Sequence, residues 1–223
     1  MSDGQQAGNL DGWAGVTDYF AELGCGDVIS TVAAFLRRAG RSDTLAHCQA
    51  VASRAGALAE RFGVDVARAV LAASCHDLAA VVPPHEAVSV AERLGIPPDP
   101  VQRTAPILLH GAIGAAVLGS RLGVADAEVL DAVRYHTTSR PGAGALERVI
   151  FVADKIALDP SSPVRDFVPA VQAAAERSLE AAAFVYLDWV VTWGPRLGWI
   201  VHPHVRAAHA ELFSEGEGGP APA

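Results

Sequence analysis

Lysine is almost missing from this chain: of its 17 basic residues sixteen are arginine, and the single lysine is Lys155. Acidic residues number 25, which sets the formal net charge at −8. A protein that coats duplex nucleic acid carries a basic face, so this balance argues against that class while leaving room for a local phosphate site. Cysteine is also scarce. The three, Cys25, Cys48 and Cys75, are odd in number and match no zinc-knuckle spacing, so reduced thiols in an intracellular protein are expected. No run approaches the roughly 20 uninterrupted apolar residues of a membrane span. The N-terminal MSDGQQAGNLDGW lacks the basic start and apolar core of a secretory signal. The expectation is therefore a cytoplasmic protein with neither a nucleic-acid nor a membrane partner. No segment alternates as a strand would.

Helix is what remains. Hydrophobic residues make up 51% of the chain against 19% charged, enough for a sizeable core. The chain is rich in the helix formers Ala, Leu and Arg, and apolar residues recur at steps of three and four. The periodicity predicts helices at 27–39, 43–62, 65–79, 84–94, 110–122, 126–136, 145–157, 168–194 and 203–214, with a short one after Pro100. Asp43 and Gly63 are the expected caps of the second helix. Residues 1–26 read as a loose N-terminal extension with one short helix between Trp13 and Leu23, residues 27–214 as the domain, and 215–223 as a disordered tail.

Polar residues interrupt the apolar stripes at selected places. Val66, Ala69, Val70 and Ala73 lead to His76 and Asp77. His110 precedes Ile113, Gly114 and Val117; Val129 and Val133 lead to His136; Leu146, Val149 and Ile150 lead to Asp154. His47 shares a side with Val51 and Leu58. Four histidines and two aspartates on five helices thus point toward one interior. A buried carboxylate needs a cation, and a divalent metal with neutral imidazole partners supplies one. Mixed imidazole and carboxylate donors suit iron, manganese or zinc better than calcium. Singly, each residue reads as well as a hydrogen-bonded core or helix-end residue; the argument rests on the set.

The order His, His-Asp, His, His, Asp resembles that of HD-domain metal phosphohydrolases. The words Leu109-His110-Gly111, Arg134-Tyr135-His136-Thr137-Thr138, Val152-Ala153-Asp154-Lys155-Ile156 and Ile200-Val201-His202-Pro203 narrow the resemblance to the YqeK-type family of symmetrical bis(5′-nucleosyl)-tetraphosphatases, over residues 27–213. The resemblance implies an all-α HD-domain bundle enclosing a dinuclear metal site, with iron first and manganese or zinc as alternatives. It implies hydrolysis of diadenosine tetraphosphate to two ADP by a metal-held hydroxide. His47, His76, Asp77 and Asp154 would hold one metal, His110 and His136 the other, with Asp77 bridging; Asp77 and His110 are the catalytic pair. Thr137, Thr138, Arg140 and Lys155 are candidates for the substrate phosphates, with Arg165 behind them. Lys155 also reads as a solvent-facing neighbour of Asp154.

Three positions depart from the family pattern. Ala80 stands where a lysine is common, Thr44 where an arginine is common, and Ser139 where glycine often follows the His-Thr-Thr word. They leave open an HD-type di-iron oxygenase or a non-catalytic nucleotide sensor, and a homodimer is also open. Cys48 and Cys75 adjoin the candidate ligands but read as small core residues. His202 reads as a structural cap, His204 and His209 as non-ligands, and His85 as an exposed residue near a helix start. Tyr186, Trp189, Trp193 and Trp199 read chiefly as packing, with stacking on a nucleobase as the functional alternative.

Overall fold

The computed structural model describes residues 17–24, 26–158 and 166–217, and among them there is no strand. The leader up to residue 16, Cys25, Arg165 and the last six residues lie outside that description. Twelve α-helices follow in order: α1 (Thr17–Phe20), α2 (Val28–Arg38), α3 (Ser42–Phe62), α4 (Val66–Cys75), α5 (Pro84–Arg93), α6 (Pro100–Thr104), α7 (His110–Leu122), α8 (Ala127–Tyr135), α9 (Ala145–Ile156), α10 (Val168–Ala175), α11 (Leu179–Trp193) and α12 (Pro203–Glu217). Short 3-10 turns occupy Leu78–Val81, Pro106–Leu109 and Gly194–Leu197. No single described helix is long and apolar enough to cross a membrane.

Caps explain most boundaries. The side chains of Asp27, Asp65, Asp126 and Ser178 accept backbone N–H groups in the first turns of α2, α4, α8 and α11. Asp99 and Gln102 form a reciprocal capping box on α6. Gly63 and Gly123 end α3 and α7 in the left-handed conformation. Asp43 is not the cap of α3; it sits inside the first turn, and Arg41 holds the N-cap position without a side-chain bond.

Three further boundaries differ from the periodic reading. The 65–79 helix stops at Cys75, because Asp77 (φ −102°, ψ 18°) leaves helical geometry and starts a 3-10 turn. The 168–194 helix is two helices, broken where Ser178 turns fully extended (φ −161°, ψ 163°) and caps α11. The last helix runs on to Glu217, so the first three residues assigned to a disordered tail are helical.

The bundle has two cores joined by α9. In the first, α4 and α9 pack on α3, while α8 packs on α4, α7 and α9 around Ile113, Val133 and Ile150. In the second, α10, α11 and α12 gather Phe167, Val171 and Leu187 against Phe151 and Val152 of α9. With both flanks covered, α9 is buried from Val149 to Lys155 on every face, as a helix between two cores must be.

One turn carries strain. After α8, Ser139 adopts φ 55°, and its N–H donates to the Tyr135 carbonyl at 2.8 Å. A Cβ in this region is disfavoured, whereas glycine is not. Ser139→Gly should therefore stabilise the fold by about 1 kcal/mol. A melting temperature at or below that of the parent would show that the Ser139 side chain compensates for its backbone.

Candidate metal centre

Three of the candidate histidines are built alike. His76 and His136 are the residues at which α4 and α8 end, and His110 opens α7 directly after a 3-10 turn. Each uses Nδ1 on the carbonyl three residues back: His76 on Ala73 at 2.7 Å, His110 on Ile107 at 2.5 Å, His136 on Val133 at 2.8 Å. A carbonyl can only accept, so all three Nδ1 atoms carry hydrogen, and in the neutral ring every Nε2 presents a lone pair. One device thereby satisfies a backbone carbonyl and fixes the tautomer of a potential ligand.

The Nε2 atoms converge on two carboxylates. Asp77 Oδ1 lies 3.2 Å from His110 and 3.5 Å from His136, while Asp77 Oδ2 lies 3.4 Å from His76 and 3.9 Å from His47. Asp154 Oδ1 lies 3.0 Å from His47 and 3.8 Å from His76. The six residues divide into two groups, His47–His76–Asp154 and Asp77–His110–His136, each with its donor atoms within 4.8 Å of one another. Asp77 faces both groups, one oxygen to each.

Two details identify what this arrangement suits. His76 Nε2 is fully buried and makes no hydrogen bond. His110 and His136 bring their Nε2 atoms to 2.9 Å although both Nδ1 protons are already spent. Two facing lone pairs at that distance require a proton or a cation between them, and the donor set suits a divalent metal.

The electrostatics follow. Burial opposes ionisation of Asp77, but His76, His110 and His136 outweigh it and hold the carboxyl well below the usual range. Burial likewise opposes Asp154, but Lys155 and His47 keep it ionised. The bond to Asp154 raises His47. His110 is raised because the Asp77 carboxylate overcomes its burial, whereas burial pushes His136 down to about 4.

The phosphate candidates have different fates. Thr137 is at the cluster, its Oγ1 3.1 Å from His136 Nε2 and 3.5 Å from His110 Nε2. Thr138 is buried and donates its hydroxyl to the Ser139 carbonyl, so it shapes the loop. Arg140 is engaged elsewhere: it grips Glu147 at 2.7 and 2.8 Å, touches Asp131 at 3.2 Å and stacks over Tyr135. The reading of Lys155 as solvent-facing is corrected, because the second core covers it. Its Nζ lies 2.5 Å from Asp154 Oδ2 and 3.3 Å from the His136 carbonyl, beneath the Phe151 and Tyr186 rings. Burial alone would lower this lysine, yet Asp154 raises it and keeps it charged. Arg165 lies outside the described residues.

The neighbours are mostly structural. Cys48 is buried within 4.8 Å of His76 and Asp77, but burial drives its thiol upward, which disfavours the thiolate a metal would need. Burial pushes Cys75 up to about 12. His202 bonds Asp99 at 2.7 Å and accepts the His204 N–H, capping α12. His85 is exposed and His209 meets Asp188 at 3.0 Å. A cavity of about 480 Å³ adjoins the cluster at Thr137; Tyr186, Val190, Trp199 and His202 contribute to its wall.

Comparison with known proteins agrees with the geometry. The HD-domain pattern matches residues 44–159. The symmetrical bis(5′-nucleosyl)-tetraphosphatase of Bacillus subtilis is 40% identical over 138 residues, 61% of this chain and 71% of that protein. A protein of the same name from Halalkalibacterium halodurans is 32% identical, over 71% of this chain and 82% of its own length. A crystal structure from Clostridium acetobutylicum, described as a predicted HD superfamily hydrolase involved in NAD metabolism, superposes with a TM-score of 0.78 at 25% identity, covering 86% of this chain and 100% of that one.

Gly111 is the residue whose necessity the sequence hid. A Cβ there would lie 2.7 Å from the Arg134 carbonyl oxygen and 2.9 Å from that of Val133, so α7 can approach α8 only through glycine. That approach sets the distance between His110 and His136. Gly111→Ala should destabilise the fold by about 1–3 kcal/mol, typical of overpacking against backbone, and should weaken metal binding. Calorimetric unfolding and metal titration test this; unchanged values in both would show that the two helices are not held at contact distance.

Proposed function

The chain belongs to the HD-domain family, and from that premise we propose that it hydrolyses dinucleoside polyphosphates, splitting diadenosine tetraphosphate symmetrically into two ADP. The carrying observation is the pair of donor groups that share Asp77, one carboxylate oxygen facing each. The relatives named for this activity in Bacillus subtilis and Halalkalibacterium halodurans support the substrate class. In this reading His47, His76 and Asp154 would hold one metal and His110 and His136 the other, with Asp77 available to both. Iron is the metal assigned first, with manganese or zinc compatible with the same donors. When bound, two such cations favour ionisation of a water and neutralise charge on the reacting phosphorus.

The chain's own residues do the rest. Hydrolysis adds water across one P–O bond: the water oxygen bonds to phosphorus, and the bridging oxygen departs with one ADP. Thr137 Oγ1, beside both His110 and His136, would donate to a phosphoryl oxygen. Lys155 holds one oxygen of Asp154, so that the other alone faces inward. The 480 Å³ cavity is large enough for a nucleoside, with Trp199 as a stacking face. We therefore assign Lys155 and Arg140 to positioning rather than to substrate.

Metal uptake should depend on pH with a definite sign. In the metal-free chain His47 and His110 retain protons above the ordinary imidazole range. Binding must displace those protons, so affinity rises as the pH is raised through and above the ordinary imidazole range, and levels off once both rings are neutral. Titration with Mn²⁺ reads this directly; affinity that falls over the same interval would overturn the assignment of these imidazoles as ligands.

The activity itself is tested by anaerobic purification, metal analysis and a diadenosine tetraphosphate assay on one sample. About two metals per chain and ADP as sole product are expected, both largely lost in His76→Ala. Two metals without ADP would remove this substrate and keep the site.

A further inference from the structure

We propose that Arg41 binds the phosphate on the far side of the cluster from the nucleoside cavity, making it a substrate-binding and specificity residue of this chain. The inference rests on the reading of the cluster as the place where a polyphosphate is cut. A second cavity, of about 150 Å³, opens beside His110 and is walled by Ala79, Ala80, Pro83, Ile107 and Arg41 among others. The larger cavity shares Ile107 with it and also contains Thr137. Ile107, 55% exposed, therefore stands between the two. Thr137 and His110, which are 3.5 Å apart, connect them past the cluster.

The two cavities differ in what they can hold. The smaller falls below the roughly 300 Å³ lower bound of ordinary ligand pockets, so it suits a phosphate and not a nucleoside. Its wall is apolar except for two side chains, His110 of the cluster and Arg41. Arg41 is exposed, and no carboxylate lines the cavity beside it to compete for that cation. Arg41 has no side-chain hydrogen bond or ion pair among the described residues. The other cations near the site are spent: Lys155 on Asp154, Arg140 on Glu147 and Asp131, and Arg103 on Glu92 at 2.8 Å. A tetraphosphate whose one nucleoside sits by Trp199 runs past Thr137 and His110 toward Arg41. The guanidinium there pairs two phosphoryl oxygens with two N–H groups.

Steady-state hydrolysis of diadenosine tetraphosphate by the metal-loaded full chain tests this with Arg41→Ala, Arg41→Lys and the double variant Arg41→Ala/Ala80→Lys. Loss of one charge-assisted phosphate contact should raise KM about tenfold or more in Arg41→Ala. Metal content should stay at the parental level, and the fall of kcat/KM with added salt should become shallower. Arg41→Lys should keep part of the affinity, and Ala80→Lys, which puts a cation on the same cavity wall, should restore part of it. A KM within about twofold of the parent, or a loss of metal in Arg41→Ala, overturns the inference and leaves the hydrolase reading standing. A parent that binds metal but does not cleave this substrate overturns that reading and the inference with it.

Discussion

Two ionised carboxylates sit inside a helical bundle, and the structure around them is a response to that cost. Neither Asp77 nor Asp154 could stay charged in an apolar interior without cations and directed donors. Asp154 meets this with Lys155 on one oxygen and His47 near the other. Asp77 has imidazoles on both oxygens. The histidines are in turn oriented by the backbone, each Nδ1–H tied to a carbonyl of its own last turn or of the turn before its helix. A helix end, usually a place of unsatisfied carbonyls, here becomes the means of aiming a lone pair.

That requirement reaches into the packing. His110 and His136 meet only because α7 lies against the backbone of α8 at Gly111. Asp154 keeps its lysine only because a second core covers the far side of α9. Phe151 and Tyr186 roof the ammonium and exclude water from its pairing with Asp154. The same second core, with α12 behind it, supplies much of the wall of the larger cavity. The aromatic residues late in the chain therefore combine two tasks, closing a core and presenting Trp199 at a cavity next to Thr137. The Arg140–Glu147–Asp131 network fastens the loop after α8 to the start of α9, which holds Thr137 beside the cluster.

The helical class and the convergence of six polar side chains were legible as breaks in apolar stripes, since a residue on a helix's buried face points inward whatever its chemistry. The relation of Asp77 to both groups was available only through family resemblance. Other features were not legible. Helix 65–79 reads as continuous because no glycine or proline interrupts it and Leu78 and Ala79 are good helix formers, yet the chain turns at Asp77. The break at Ser178 was hidden by helix-forming residues on both sides, Ala175, Glu176 and Arg177 before it and Leu179, Glu180 and Ala181 after it. Arg140 read as a phosphate contact because it follows a histidine and two threonines; its partner Glu147 is seven residues on, across a loop whose path a stripe does not describe.

Periodicity and residue type thus settle which side chains face an interior and what chemistry they can offer there, because both are local properties of the backbone. They do not settle which faces of different helices meet. Lys155 is the sharpest case: its position beside Asp154 is a fact of the sequence, but whether it meets water or a carboxylate depends on α10 to α12 covering α9. The same holds for Gly111, where the need for glycine is created by a carbonyl more than twenty residues away. It holds as well for Arg41, which stands just before α3 and lines the His110 cavity together with residues of α5 and α7. Such contacts are long-range sums of packing and electrostatics, and they exist only once the helices have docked.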